Sequence, residues 1–419
     1  MSFPEPKPIP GRRALQALNF FMADMQAGVG PFLGVWLLAH RWQSGWIGSV
    51  MTIGGVAGVL TTTPAGAWVD STDHKRLLVI GPGICTVLAS AVILLSQSFW
   101  PVTLSQMATA VAGAAIGPAV AGITLGMFGQ SGFNRQLGVN QAFNHAGNAV
   151  GAALSGLAGW KFGLPAVFWL AVAFALASIV SVLRVPPSAI DNRIARGLQD
   201  TVGVAERPSG LSVLLSCKPL LVLAAALALF HLGNGAMLPL YGLAVVAAKQ
   251  GDPAALVAAT IVVAQTTMVF ASLLAMRLAE NRGHWLVLLI SFAALPVRGL
   301  VAAHLIRTWG VFPVQILDGV GAGLQSVAVP GLVARILNGT GRINIGQGAV
   351  MAVQGIGASL SPAIGGWLAQ LSGYSTAFLI LGGFAVGSLV IWTAFLPLLK
   401  GACAGEPAMA TAAPGKSTT

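Results

Sequence analysis

Residues 184–218 read RVPPSAIDNRIARGLQDTVGVAERPSGLSVLLSCK, the one long polar segment inside the chain. It carries Asp191, Arg193, Arg196, Asp200, Glu206 and Arg207 between Pro and Gly breaks, whereas the sequence on either side is built of long apolar runs. A stretch of this kind reads as a linker between two larger units. Upstream lie six apolar runs, at 14–38, 44–69, 77–97, 101–128, 138–160 and 165–184. Downstream lie six more, at 219–248, 254–279, 285–306, 310–337, 345–371 and 375–398. A hydrocarbon core of about 30 Å is crossed by roughly 20 apolar residues in a helix, and each run is long enough. The expected fold is all-α: a polytopic membrane protein of two six-helix bundles, 14–184 and 219–398, joined by a cytoplasmic linker, 185–218. A cytoplasmic tail (1–13) and a disordered tail (399–419) flank them.

Composition agrees. Of 419 residues 56% are apolar and only 8% charged, with a mean hydropathy of +0.81. A soluble domain carries about 25% charged residues, so most of this chain never meets water. The net charge of +11 does not indicate nucleic acid, because the basic residues mark the ends of apolar runs and form no stripe. With the N-terminus in the cytoplasm, 17 of the 22 basic residues fall inside and four (Arg41, Lys161, Lys249, Arg307) outside, while Arg298 lies within a span. That imbalance fixes the expected orientation in an inner membrane, both termini cytoplasmic. The first run lacks a small-residue cleavage site after it and reads as a retained helix. Cys85, Cys217 and Cys403 have neither metal-ligand nor disulfide spacing.

The two halves repeat. Shifting the chain by 210 residues sets Phe20 on Phe230, Asp24 on Asn234 and Asp70 on Glu280. The same shift sets Gly138, Gly147 and Gly156 on Gly348, Gly357 and Gly366. Repeats of this kind place a substrate pathway between the halves, near the bilayer midplane.

After span two the chain reads Gly66-Ala-Trp-Val-Asp70-Ser-Thr-Asp-His-Lys75-Arg76. This resembles the loop motif of the major facilitator superfamily, with Ser71 and Asp73 departing from it. Glu280-Asn-Arg282-Gly283-His284 is its echo in the second half. The resemblance implies a conformational latch made by Gly66, Asp70, Lys75, Arg76, Glu280 and Arg282, where an acid at a helix end pairs with neighbouring bases. The glycine-rich stretch Gly147–Gly156 is similar to the antiporter motif of the superfamily's proton-coupled exporters, with Ala152 in place of Pro. Its small residues equally suit plain close packing of helices. In span four the exporters' Arg, twelve residues before a Pro, is replaced by Gln106 before Pro118.

Ionisable groups within spans are unfavourable and therefore candidates for function. Asp24 lies twelve residues beyond Arg12, roughly 18 Å along a helix, and is the one acid in the spans of the first half. Near the midplane loss of water favours the neutral acid, so Asp24 is the candidate proton carrier; a structural acid bonded to backbone is the alternative. Arg298 and Asp318 fall at matching depths in spans nine and ten and could pair across the hairpin, as a fixed pair or one that opens in transport. Asn140, Asn144 and Asn148 recur every four residues in span five, beside His145, giving one polar face. That face suits either a cavity wall or hydrogen bonding between the halves. Gly28, Gly30 and Pro31 in span one, and Gly233, Gly235 and Pro239 in span seven, predict paired bends in cavity-lining helices. The candidate substrate cavity comprises Phe20, Asn140, Asn144, His145, Asn148, His231, Asn234, Tyr241, Arg298 and Asp318.

The chain lacks a nucleotide-binding glycine loop joined to Lys, a His/Cys/Glu metal cluster and a serine nucleophile arrangement. It reads as no enzyme, with no cofactor. Three functions remain open. The first is a monomeric secondary transporter exporting a small, partly apolar molecule against protons. The second is coupled uptake of a nutrient or siderophore-like solute, and the third a membrane sensor that does not transport.

Overall fold

A computed structural model describes residues 10–27, 29–195, 215–337 and 343–403. It is helical throughout, with two short 3-10 turns and no strand among the described residues. The helices follow the apolar runs in order. Span one is Arg12–Ala27 and Val29–Ala39, span two Ser44–Ser71, and span three Leu77–Leu95. Phe99–Gly113 and the helix from Ile116 make span four, the same helix continues to Phe162 as span five, and Pro165–Leu183 is span six. In the second half Lys218–Asn234 and Met237–Ala247 make span seven, Pro253–Arg282 span eight, and His284–His304 span nine. Val311–Ile336, Ile343–Ser372 and Tyr374–Ala394 are spans ten to twelve.

Among the described residues ten segments are long and apolar enough to cross a membrane by length and composition. Spans one and five fall outside that group for identifiable reasons. Span one is described on either side of residue 28, as stretches of 16 and 11 helical residues, each shorter than a full crossing. Span five carries the asparagine ladder and His145, which lower its hydropathy. Span seven is interrupted between Asn234 and Met237; of the bend expected in span one, Gly28 lies outside the described residues, and Gly30 and Pro31 fall within the helix that follows it.

The gap between the fourth and fifth apolar runs implies a loop. Instead, helix continues on both sides of Gly129, whose φ of 64° and ψ of 178° make the turn alone. A side chain would be strained in that left-handed region. Two further differences concern the linker and tail. Pro187–Ala189 and Asn192–Ala195 form short helical turns, and Leu396–Cys403 extends helix into the C-terminal tail. Residues 1–9, 196–214 and 404–419 lie outside the described residues.

Four of the six repeated glycines lie where helices touch, whereas Gly348 has open space beside it. A Cβ on Gly147 would strike the Phe20 carbonyl of span one, and one on Gly357 would strike the Ala228 carbonyl of span seven. These equivalent contacts hold each half together. Gly156 meets Ala258 of span eight, and Gly366 meets the Ser44 carbonyl of span two. These join one half to the other. Backbones approach so closely only where no side chain intervenes, which in lipid is a main source of helix association.

The halves therefore meet along spans two with eleven and five with eight. The hydrogen bonds across the seam lie toward one end, that of Ser44 and Tyr374. Ser44 and Tyr374 hydroxyls are 2.7 Å apart, Gly45 N donates to Gln370 (3.1 Å), Trp367 Nε1 to Ser49 (3.0 Å) and Ala363 N to Thr52 (2.9 Å). We call this the distal end. The proximal end carries the 72–76 and 283 turns and the start of the linker.

Candidate functional site

The second half holds a buried polar core built from three helices. Arg298 of span nine is fully buried. One Nη1 donates to Asp318 Oδ1 of span ten at 2.8 Å and to Asn234 Oδ1 of span seven at 2.6 Å. Its Nη2 donates to Gln315 Oε1 at 3.1 Å. The Asp318 side chain retains 11% exposure against 1% for Arg298, so the carboxylate is the edge of the cluster. An isolated guanidinium in hydrocarbon is strongly disfavoured, and a carboxylate with two amide acceptors meets both Nη groups, while Nε finds no partner among the described residues.

A second polar layer lies below the first, toward the proximal end. His231 Nε2 is 3.1 Å from Gln325 Oε1, Gln325 Nε2 donates to Ser291 Oγ at 3.0 Å, and Ser291 Oγ donates to the Gly321 carbonyl at 2.9 Å. The layering follows from helix periodicity. Asn234 and His231 are three apart in span seven, Arg298 and Ser291 seven apart in span nine, and Asp318 and Gln325 seven apart in span ten. Each pair sits on one face of its helix. Phe230 and Phe292, with ring centroids 5.8 Å apart, pack beside this layer. Gln315, Gln325 and Ser291 are absent from the residues picked out in the sequence. Their signal was available, because they fall on the faces that Asp318 and Arg298 define.

The first half is arranged differently. Asp24 belongs to the helix Arg12–Ala27, but its side chain lies outside the described residues. Asn140 Nδ2 donates to Thr124 Oγ1 of span four at 2.9 Å, and Asn140 Oδ1 accepts from Gln136 Nε2 at 2.8 Å. Asn144 Nδ2 donates to the Asn19 carbonyl of span one at 3.4 Å, and Asn148 donates to Asn144 at the same distance. The ladder thus bonds spans five, four and one within its own half. It does not bridge the halves, because rotation about span five turns the asparagines inward. His145 is exposed on a neighbouring face, eleven residues before Gly156 and so nearly in line with the residue that meets span eight.

Two expected cavity residues are placed elsewhere. Tyr241 is fully buried at the distal end. Its hydroxyl donates to the Leu305 and Arg307 carbonyls, at 2.5 and 3.0 Å, so it fastens the turn after span nine and cannot face a substrate there. Phe20 stacks on Phe174 of span six, centroids 6.4 Å apart, with Phe21 against both. Its contacts are packing within the first half.

At the proximal end the bases act on helix ends. Lys75 is buried, and its Nζ donates to the Val69 and Thr72 carbonyls at 3.0 and 2.8 Å. Arg76 donates to the Val185 carbonyl at 3.0 Å, beyond the end of span six. Cations are favoured where a helix exposes its last carbonyls. Asp191 caps the Asn192–Ala195 turn, accepting from Arg193 N (2.9 Å) and Ile194 N (3.1 Å). That turn lies over Gly126 of span four. Gly66, Asp70 and Glu280 are in helices, but their side chains lie outside the described residues, and Arg282 is exposed.

A duplicated bundle of membrane-length helices, closed along a small-residue seam and holding an ion pair inside one half, is an architecture suited to a membrane transporter. The sequence matches the family model described as the Major Facilitator Superfamily over residues 15–345. It is 38% identical over 387 residues to proteins described as uncharacterized MFS-type transporters of Mycobacterium tuberculosis, strains CDC 1551 and H37Rv, covering 92% of this chain and 93% of theirs. The chain belongs to the major facilitator superfamily. Among solved structures a variant of the nucleoside transporter NupG superposes with a TM-score of 0.77 at 14% identity, covering 92% of this chain and 99% of that one. A bacterial homolog of the human lysosomal transporter Spinster, inward-facing and unoccupied, gives 0.70 at 15%, covering 96% and 100%. Likeness at such identity concerns the fold. The chain is a secondary transporter of that superfamily.

Proposed function

We propose that this protein is a proton-coupled transporter of the inner membrane, with both termini cytoplasmic, that works as a monomer and exports a small amphipathic organic molecule by alternating access. The observation that carries the reading is the Arg298–Asp318 pair at 2.8 Å inside the second half. A proton arriving on Asp318 removes the charge that holds Arg298, so protonation and rearrangement of spans seven, nine and ten are coupled. Asp24, at the matching place to Asn234 in the first half, is the second proton carrier. Substrate lies between them, with His231, Asn234 and His145 offering polar contacts.

A second reading is uptake of a polar nutrient. It is supported by the density of hydrogen-bonding groups in spans seven, nine and ten, and by a fold shared with a protein named as a nucleoside transporter. Reconstitution in proteoliposomes under an imposed pH gradient separates the two by direction of flux. Asp24→Asn should abolish the response to the gradient while leaving exchange at equal pH, and Asp318→Asn should abolish the response as well. Flux indifferent to the gradient in the unaltered protein removes proton coupling altogether.

A further inference from the structure

Between the turns that follow spans one and three, at the distal end, lies an open cavity of 740 Å³ walled by Arg41, Trp42, Trp46, Gln97, Phe99 and Trp100. The sequence reading gave it no role. Its aromatic floor is fixed. Trp42 stacks on Phe99 (centroids 6.0 Å, 20°) and donates from Nε1 to the Gln97 carbonyl at 3.0 Å. Trp46 and Trp100 stand edge-on to Phe99 at 5.3 Å, and are 46% and 68% exposed.

Arg41 is the one charged residue of the wall. It sits at φ 67°, a backbone region that a side chain enters at a cost. It is exposed and makes no hydrogen bond or ion pair among the described residues. The indole N–H groups of Trp46 and Trp100 are likewise without partners there. The free groups offered are thus a cation and two donors. The cavity also has a definite depth. It lies where helices end at Ala39 and Leu95 and begin at Ser44 and Phe99, and Leu95 and Leu104 beside it are 86% and 59% exposed. Helix ends of a spanning bundle with exposed tryptophan lie at the bilayer's polar boundary.

We propose that this cavity binds one anionic glycerophospholipid from the surrounding leaflet. The phosphodiester meets the Arg41 guanidinium and the free indole N–H groups, and the acyl chains run down the exposed apolar flank at Leu95 and Leu104. A soluble anion would gain the charge contact but leave the aromatic wall and flank uncovered. Trp46 also meets Trp367 of span eleven (5.6 Å, 63°), so the bound lipid lies against the seam between the halves.

The test uses full-length protein in detergent, titrated with dioctanoyl phosphatidylglycerol, with native mass spectrometry counting retained lipid and thermal unfolding as second readout. One lipid should be retained, with a raised Tm. Arg41→Gly suits the left-handed backbone and keeps the fold while removing the cation; it should lower retention about tenfold, as loss of a charge-assisted hydrogen bond requires. Trp100→Ala should lower it too, and Lys161→Ala, a distal cation outside the cavity, should leave it unchanged. Equal retention by Arg41→Gly overturns the proposal. So does equal retention of dioctanoyl phosphatidylcholine, or an equal rise in Tm from glycerol 3-phosphate.

Discussion

Lys75 and His284 occupy equivalent places in the two halves, each set against a glycine of the fourth helix of its own bundle. Lys75 methylenes lie where a Cβ on Gly122 would reach, at 3.1 and 3.2 Å, and the His284 ring lies where one on Gly331 would reach, at 2.5 Å for Nε2. The separation of Lys75 from His284 equals that of Gly122 from Gly331. The turn between spans eight and nine is Gly283 alone, whereas that between spans two and three runs from Thr72 to Arg76, and it is His284, at the start of span nine, that takes the place of Lys75. The two halves therefore use different chemistry in one mould.

This difference predicts unequal tolerance. Gly122→Ala asks a flexible lysine stem to give by a few tenths of an ångström, and should change stability by under about 1 kcal/mol. Gly331→Ala asks a ring packed among helix ends to move bodily, and should destabilise by about 1–3 kcal/mol. Thermal unfolding in detergent measures both. Similar losses at the two sites would show that exchanging a lysine stem for a histidine ring makes no difference in this mould.

The ion pair makes a sharper demand. Asp318→Asn leaves Arg298 buried opposite three amide partners and no carboxylate, which should destabilise by about 3–5 kcal/mol. Replacing both, Arg298→Met with Asp318→Leu, should restore most of that stability, since no buried charge remains. Transport should not return. A double variant that is stable and inactive identifies the pair as working, whereas one that is stable and active would make it a structural clamp. The check is Tm beside proteoliposome flux.

The seam can be tested independently of substrate. A Cβ on Gly48 would run into the Pro362 carbonyl, so Gly48→Val must push spans two and eleven apart at the distal end. Gln43 and Gln370 side chains, 2.8 Å apart across this seam, report the change once replaced by cysteine in a chain freed of Cys85, Cys217 and Cys403. Disulfide yield should fall several-fold on adding Gly48→Val, as the population shifts away from the distally closed state. Unchanged yield would mean the seam absorbs the side chain without opening.

How far the sequence anticipated this arrangement depends on what each residue's signal encodes. The repeat was legible in Gly147, Gly156, Gly357 and Gly366, because only glycine permits the backbone approaches found there, and an identical spacing in both halves is visible in the text of the chain. Arg298 and Asp318 were legible because charge within a span has few tolerable explanations. Gln315, Gln325 and Ser291 were passed over, since uncharged polar residues are common in helices and only the faces set by their charged neighbours pick them out. The asparagine ladder was seen as a face but not as a direction, because periodicity fixes which residues align and says nothing of the helix's rotation in its bundle. The C-terminal apolar runs gave their helices; Gly129 as a one-residue turn did not stand out among 53 glycines.

Tyr241 shows why an aromatic beside a helix bend misleads, and it yields the last prediction. In sequence it has every attribute of a cavity residue: an amphipathic ring, near Gly235 and Pro239, in a span matched to span one. In the fold its ring packs on Phe378 at 6.0 Å, and its hydroxyl holds the two carbonyls that close the turn between spans nine and ten. Tyr241→Phe keeps the ring but removes the hydroxyl donor from two part-buried carbonyls that each keep one backbone N–H, a loss of about 0.5–1.5 kcal/mol. Tm should fall accordingly, while KM and kcat for transport stay within about twofold, since no substrate contact is removed. Asn234→Ala is the contrasting case, because it strips an acceptor from Arg298 and should lower transport together with stability. If Tyr241→Phe instead raised KM at unchanged Tm, the hydroxyl would have to reach substrate in another state, and the turn would need a different fastening.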